Sequence, residues 1–168
     1  DLPREAISDV LRTHLRQARV LWLDHGYLEG DDTDAHIDTL ARFAAVDAII
    51  HQGCDDPADA HFDELAAMSA EIGALRTADG RPYRVFTLPW ARPILDGDRR
   101  LAASYANFLI LNGAVLMQFY GDPADARAAA VMAEAFPDRE IVGIDCRPLI
   151  WQNGSLHCVT MQLPAGLV

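Results

Sequence analysis

Two stretches of this sequence carry side chains able to do chemistry, and they lie far apart. The first, Glu29-Gly30-Asp31-Asp32-Thr33-Asp34-Ala35-His36-Ile37-Asp38, gathers five carboxylates and a histidine with no compensating base. If Asp32 to Asp38 runs extended, Asp32, Asp34, His36 and Asp38 share one face, because side chains alternate along a strand. Such a face suits a cation. It could be a metal held through oxygen and imidazole, or an organic cation such as guanidinium, for which a carboxylate offers two matched acceptors. A solvated acidic loop is the plain alternative. Asp38, two residues past His36, would lie beside the ring and tune its proton affinity.

The second stretch ends on Cys158, between Trp151–His157 and the apolar-rich Val159–Pro164. A turn there would deliver the thiol to the start of a strand, where positive charge or a polarised substrate favours the reactive thiolate. A small buried core residue is the competing reading, and the preferred one for Cys54 and Cys146. His157 adjoins Cys158, but neighbours in a strand face opposite ways, so the expected partner of the thiol is His36. His14, His25, His51 and His61 read as surface or satisfied core histidines.

These residues must be positioned by a repeated unit. Asp56-Pro57-Ala58-Asp59-Ala60 recurs as Asp122-Pro123-Ala124-Asp125-Ala126. Ahead of the first copy lie the apolar stretches Leu40–Ala44 and Ala48–Gln52. Ahead of the second lie Phe108–Leu111 and Ala114–Tyr120, split by the hairpin signal Asn112-Gly113. Behind each copy comes a helical pattern, carried by Phe62, Leu65, Ala66 and Met68 and then by Ala128, Val131, Met132, Ala135 and Phe136. Asp-Pro suits a helix start. Short strands follow at Tyr83–Leu88 and Ile141–Asp145.

The expected unit is therefore β-β-α-β, used twice over about 40–89 and 107–146 within one α/β domain spanning 1–168. Glu5–Gln17 reads as a helix, Val20–Leu23 as a strand and Leu149–Leu163 as a hairpin-like stretch, so the pattern begins and stops in mid-unit. An exposed sheet edge is expected, with self-association into a homo-oligomer as one outcome.

Composition narrows the chemistry. Of 168 residues, 25 are Asp or Glu and 14 are basic, a formal charge of −11 that argues against a nucleic-acid partner. The acidity is concentrated up to Arg84, where 17 acids meet 8 arginines. All 14 basic residues are arginine, so Schiff-base chemistry and a P-loop lysine are excluded. Three widely spaced cysteines offer neither a disulfide framework nor a zinc knuckle. With no leader pattern and no apolar run long enough to span a bilayer, a soluble cytoplasmic protein is expected.

Trp22-Leu23, Gly30 to Phe43, Ala103 to Gly113 and Asn153 to Thr160 together resemble, in order, the C-terminal half of the agmatine deiminases, of the bacterial-type peptidylarginine deiminase superfamily. The resemblance implies about half of a five-fold pseudosymmetric α/β propeller of β-β-α-β units. It also implies hydrolysis of a guanidinium group, in agmatine or peptidyl-arginine, without metal or organic cofactor. By position Cys158 would be the nucleophile, His36 the general acid and then base, and Asp38 the carboxylate that binds the guanidinium and orients His36. Asp32 would be a further acidic residue near the substrate. Three departures stand out: Ala35 replaces the family's glycine before the histidine, Met161-Gln162-Leu163-Pro164 keeps part of a glutamine-rich strand, and family chains are roughly twice as long. No residue here matches the second guanidinium-gripping aspartate.

Overall fold

Two successive units share one element order in the computed structural model, which describes residues 2–31, 36–163 and 166. The first consists of β1 (Ala41–Ala45), β2 (Ala48–Gln52), α2 (Phe62–Ala74) and β3 (Arg84–Leu88), after an N-terminal helix α1 (Arg4–Leu15). A small hairpin, β4 (Leu95–Asp96) and β5 (Arg99–Arg100), intervenes. The second unit then repeats the plan with β6 (Leu109–Ile110), β7 (Ala114–Phe119), α3 (Ala124–Ala135) and β8 (Glu140–Asp145). In each, an antiparallel hairpin is followed by a helical crossover to a parallel third strand, giving sheets ordered β1-β2-β3 and β6-β7-β8. The protein is thus α/β with small three-stranded sheets. Among the described residues no helix is long and apolar enough to cross a membrane.

Periodicity explains what each element buries. Helix α2 turns Leu65, Met68 and Ile72 inward, and α3 turns Ala128, Met132 and Ala135, both at helical spacing. Strand β2 is buried along its whole length because both its faces are covered. Ile49 packs with Leu65, Met68 and Trp90, whereas Ile50 belongs to the core of Tyr105, Phe108, Met117 and Met132 that joins the units.

Between the units runs Leu101–Leu109, buried at every residue yet outside regular structure until β6 begins. Backbone groups so buried need partners. Gln52 Oε1 accepts from Tyr105 N (2.9 Å), Tyr120 Oη donates to the Ser104 carbonyl (2.8 Å), and Ser104 Oγ donates to the Thr39 carbonyl (2.5 Å). Tyr105 Oη donates to Asp125 Oδ1 at 2.7 Å, and burial together with that carboxylate pushes the phenol far above its ordinary pKa.

Three expectations need correction. Val20–Leu23 forms no strand: Trp22 donates to Ser8 Oγ on α1 (3.0 Å), while Asp24 N and His25 N donate to Glu71 on α2, so helices hold this segment in place of a sheet. Leu149–Leu163 forms no hairpin. It contains the end of a short helix α4 (Arg147–Ile150) and a 3₁₀ turn (His157–Val159), separated by Asn153 at φ +70°. Finally, the approach to the first chemical stretch does not stay extended, because Ile37–Thr39 closes into a 3₁₀ turn. Asp32–Ala35 lie outside the described residues.

Candidate active site

The two 3₁₀ turns meet. Asp38, on the first, and His157 and Cys158, on the second, converge although about 120 residues separate them: His157 Nδ1 lies 2.5 Å from Asp38 Oδ2, and Cys158 Sγ lies 4.0 Å from the same oxygen. An ionised carboxylate only accepts, so Nδ1 is the donor in this contact. Asp38 Oδ1 is buried and has no hydrogen-bond partner among the described residues. Cys158 is exposed, in contrast to buried Cys146 and half-buried Cys54, whose thiols burial pushes up.

Local sequence accounts for the second turn. Asn153 in the left-handed region turns the chain. Gly154 follows where a Cβ would sit 3.0 Å from Cys158 Cβ, so the missing side chain leaves room for the cysteine. Thr160 closes the turn, its N and Oγ1 both donating to the His157 carbonyl at 3.1 and 2.9 Å. The first turn is held in a similar way: Thr39 Oγ1 donates to the His36 carbonyl (2.8 Å) and to Asp31 Oδ2 (3.0 Å).

The floor of the site is the buried segment between the units. Asn107 Oδ1 accepts from His157 N (3.0 Å) and Cys158 N (3.3 Å), and its Nδ2 donates to the Asp38 carbonyl (3.3 Å). Arg42, on β1, donates to the Phe108 carbonyl and lies 4.6 Å over the Phe108 ring. Burial lowers the pKa of its guanidinium, while Asp38 and Cys158 favour its charged form. The site therefore holds an exposed thiol, a carboxylate, an imidazole and a partly buried cation.

The residues expected from sequence fare differently. Asp38 and Cys158 come together. His36 precedes the first turn with its ring exposed, and among the described residues no hydrogen bond or ion pair links that ring to Asp38 or Cys158. Asp32 lies outside the described residues. His157, set aside on the argument of strand alternation, instead faces the same oxygen as Cys158, because a 3₁₀ turn does not send neighbours to opposite sides. Asn107 and Arg42 received no role from sequence; each stood within a resembling stretch, and only the fold brings them here.

No cluster of three or more His, Cys, Asp or Glu side chains among the described residues could hold a metal ion. A cavity of about 530 Å³ lies between α2 and α3, lined in part by Cys54, Asp55, Ser69 and Arg127, with no residue of the Cys158 site in its wall.

Comparison with known proteins bears on this constellation. The agmatine deiminase of Stutzerimonas stutzeri is 35% identical over 99% of this chain and 50% of its own length, and that of Pseudomonas putida KT2440 is 36% identical over 98% and 49%. Among solved structures, the putative arginine deiminase of Porphyromonas gingivalis superposes with a TM-score of 0.94 at 56% identity, covering 98% of this chain and 49% of its own. A cysteine-to-serine variant of C. jejuni agmatine deiminase with substrate bound superposes at 0.86 with 38% identity, over 93% and 45%. The chain spans about half the length of the curated relatives it matches. The profile of the Porphyromonas-type peptidyl-arginine deiminases covers residues 1–164, and the chain belongs to that family.

Proposed function

We propose that this chain supplies the C-terminal half of an agmatine deiminase: a C–N hydrolase converting the guanidinium of agmatine to N-carbamoylputrescine and ammonia. In this reading the two β-β-α-β units are part of a five-fold pseudosymmetric propeller whose remaining units complete the substrate wall. The observation that carries it is the approach of Cys158 Sγ to within 4.0 Å of Asp38, an acceptor suited to a planar cation. Agmatine is preferred to peptidyl-arginine because the curated relatives bear the name agmatine deiminase, at 31–36% identity.

The chemistry follows from the groups available. Guanidinium does not lose its proton in water, so its carbon becomes attackable only when carboxylates localise its charge. Asp38 pairs with the cation and the Cys158 thiolate attacks the guanidinium carbon, forming a C–S bond. His36 protonates one nitrogen, which leaves as ammonia, and the carbon remains bound to sulfur. His36 then takes a proton from water, which attacks the same carbon; the C–S bond breaks, the urea product departs and the thiolate is restored. His157, on Asp38 Oδ2, restrains the carboxylate that meets the substrate. Asp32 is a further candidate for the substrate wall. A nucleophile that must stay reduced suits a reducing compartment such as the cytoplasm.

Ammonia release from agmatine tests the reading, with this chain grafted in place of the matching half of the S. stutzeri protein. The graft should turn agmatine over faster than a peptide bearing arginine, and Cys158→Ala should abolish that turnover. Undiminished turnover in Cys158→Ala overturns the proposal. The isolated chain should show little activity, since an open wall and a missing second carboxylate weaken discrimination of the transition state.

A further inference from the structure

We propose that Asn107 is the positioning residue that sets the distance between the Cys158 thiol and the Asp38 carboxylate. The inference rests on the deiminase reading above and adds to it a residue that touches neither substrate nor reacting atoms.

The two groups that must cooperate arrive on separate short turns. Neither turn is part of a sheet or a long helix, so neither inherits its position from a ladder of backbone hydrogen bonds. Besides the direct contact of His157 with Asp38, what lies between them is one side-chain amide. Asn107 is 1% exposed, and its oxygen takes the two amide hydrogens that open the second turn, at 3.0 Å from His157 N and 3.3 Å from Cys158 N. Its nitrogen gives a hydrogen to the carbonyl of Asp38, on the first turn, at 3.3 Å. The Asn107 carbonyl also accepts from His157 N at 3.0 Å, so the backbone and side chain of one residue grip the same turn.

An amide is the side chain that fits this place. It presents an acceptor and a donor on one rigid plane, and here the acceptor faces one turn while the donor faces the other. A carboxylate would lack the donor, and a hydroxyl lacks the reach to span both. The support behind Asn107 is rigid too: Tyr105, Ala106 and Phe108 around it are fully buried, and Ala106 N is held by Ser104 Oγ at 3.0 Å. A site built to within fractions of an ångström needs such support beneath its reacting groups.

The test reads separation and charge together, on the chain as it is. Cys158 is alkylated in parallel with 2-chloroacetamide, which is neutral, and with 2-chloroacetamidine, which is of like size but planar and cationic, and modification of this cysteine is followed by site-resolved mass spectrometry. The ratio of the two rates, taken relative to that of a small free thiol, reports whether a carboxylate stands where an incoming cation meets the sulfur. The wild-type chain should favour the cation by about tenfold. Asp38→Asn sets the floor. Asn107→Ala should fall to that floor while its circular dichroism spectrum stays that of the folded chain. Asn107→Ser, a gentler change that carries the test should the alanine variant not fold, should lose at least half of the preference.

A folded Asn107 variant that keeps the wild-type ratio overturns the proposal, even if it melts at lower temperature, because loss of stability alone is what a purely structural residue would show. A wild-type chain with no more preference than the free thiol overturns the deiminase reading and this inference with it. The two failures are distinguishable, since the second is seen before any Asn107 variant is made.

Discussion

The two copies of Asp-Pro-Ala-Asp-Ala begin alike and end differently. In both, the first aspartate caps the turn through its side chain: Asp56 Oδ1 accepts from Ala58 N at 3.0 Å and Asp122 Oδ1 from Ala124 N at 2.8 Å. The fourth residue then diverges. Asp125 spends its carboxylate on the main chain of its own unit, accepting from the amides of Tyr120, Gly121 and Asp122, with the Tyr105 hydroxyl added. Asp59 accepts from the ring and the amide of His61, two residues on, and from the side chains of Trp90 and Arg100 beyond its own unit. Helix α3 starts at once after Pro123, whereas α2 waits until Phe62, because His61 is turned inward to reach Asp59.

The difference has a purpose in space. His61 Nε2 accepts from Glu29 N at 2.9 Å, and Gly30 comes next at φ +87°, where a Cβ would stand 2.5 Å from the Arg100 carbonyl. The first copy thus fastens Glu29 and Gly30, at the start of the acidic stretch of sequence, while the second copy fastens only the frame. One motif supports the same local turn twice, and its surroundings decide whether the remaining carboxylate serves mainly backbone amides or mainly side chains.

The sharpest way to break this comparison is to remove each carboxylate in turn and measure urea denaturation. Asp125→Ala should cost most, about 3–4 kcal/mol, since three backbone amides and a buried phenol lose their acceptor and cannot swing to water. Asp59→Ala should cost about 2–3 kcal/mol, because Arg100 can turn outward and recover hydration. Equal losses would mean that mobile and fixed donors do not differ here.

Acid titration sharpens the same contrast. Burial opposes ionisation of Asp59, but the hydrogen bonds from Arg100, His61 and Trp90 outweigh it and hold the carboxyl far below the usual range. A carboxyl depressed in the folded state stabilises above its unfolded pKa of about 4, and that contribution is lost as pH falls toward the folded value. Stability of the wild-type chain should therefore fall on acidification below about pH 4, and Asp59→Asn should flatten that slope. An unchanged slope would remove Asp59 from the account.

Smaller effects follow from the neighbours. Gly30→Ala should lose about 1–2 kcal/mol through its positive φ and the crowding at Arg100, measured as a lower melting temperature. Trp90→Phe keeps the ring and deletes only the indole donor to Asp59, so its loss should be about 1 kcal/mol.

The elements legible in sequence were those with a period or a repeat. Leu65 and Met68 announce α2, and the doubled pentapeptide announces two units with matching strand–strand–helix–strand order. The two ends of the candidate site, Asp38 and Cys158, stand out in composition and resemblance, but its local geometry does not. A three-residue 3₁₀ turn has no periodicity to read, so both stretches read as strands, and strand alternation turns His157 away from Cys158. Asn107 left no trace of its role either, since its partners stand 69 residues before it and 50 and 51 after. Val20–Leu23 has the composition of a strand, and only its attachment to Ser8 and Glu71 decides otherwise.

The nine buried residues from Leu101 to Leu109 tie Gln52 of one unit to Tyr120 and Asp125 of the other. Neither sheet can therefore be cut out as an autonomous module, for excising either strips this central cord of half its anchors. Melting should accordingly proceed as one concerted loss of both sheets, and a protease should find no foothold in the cord until that event has occurred.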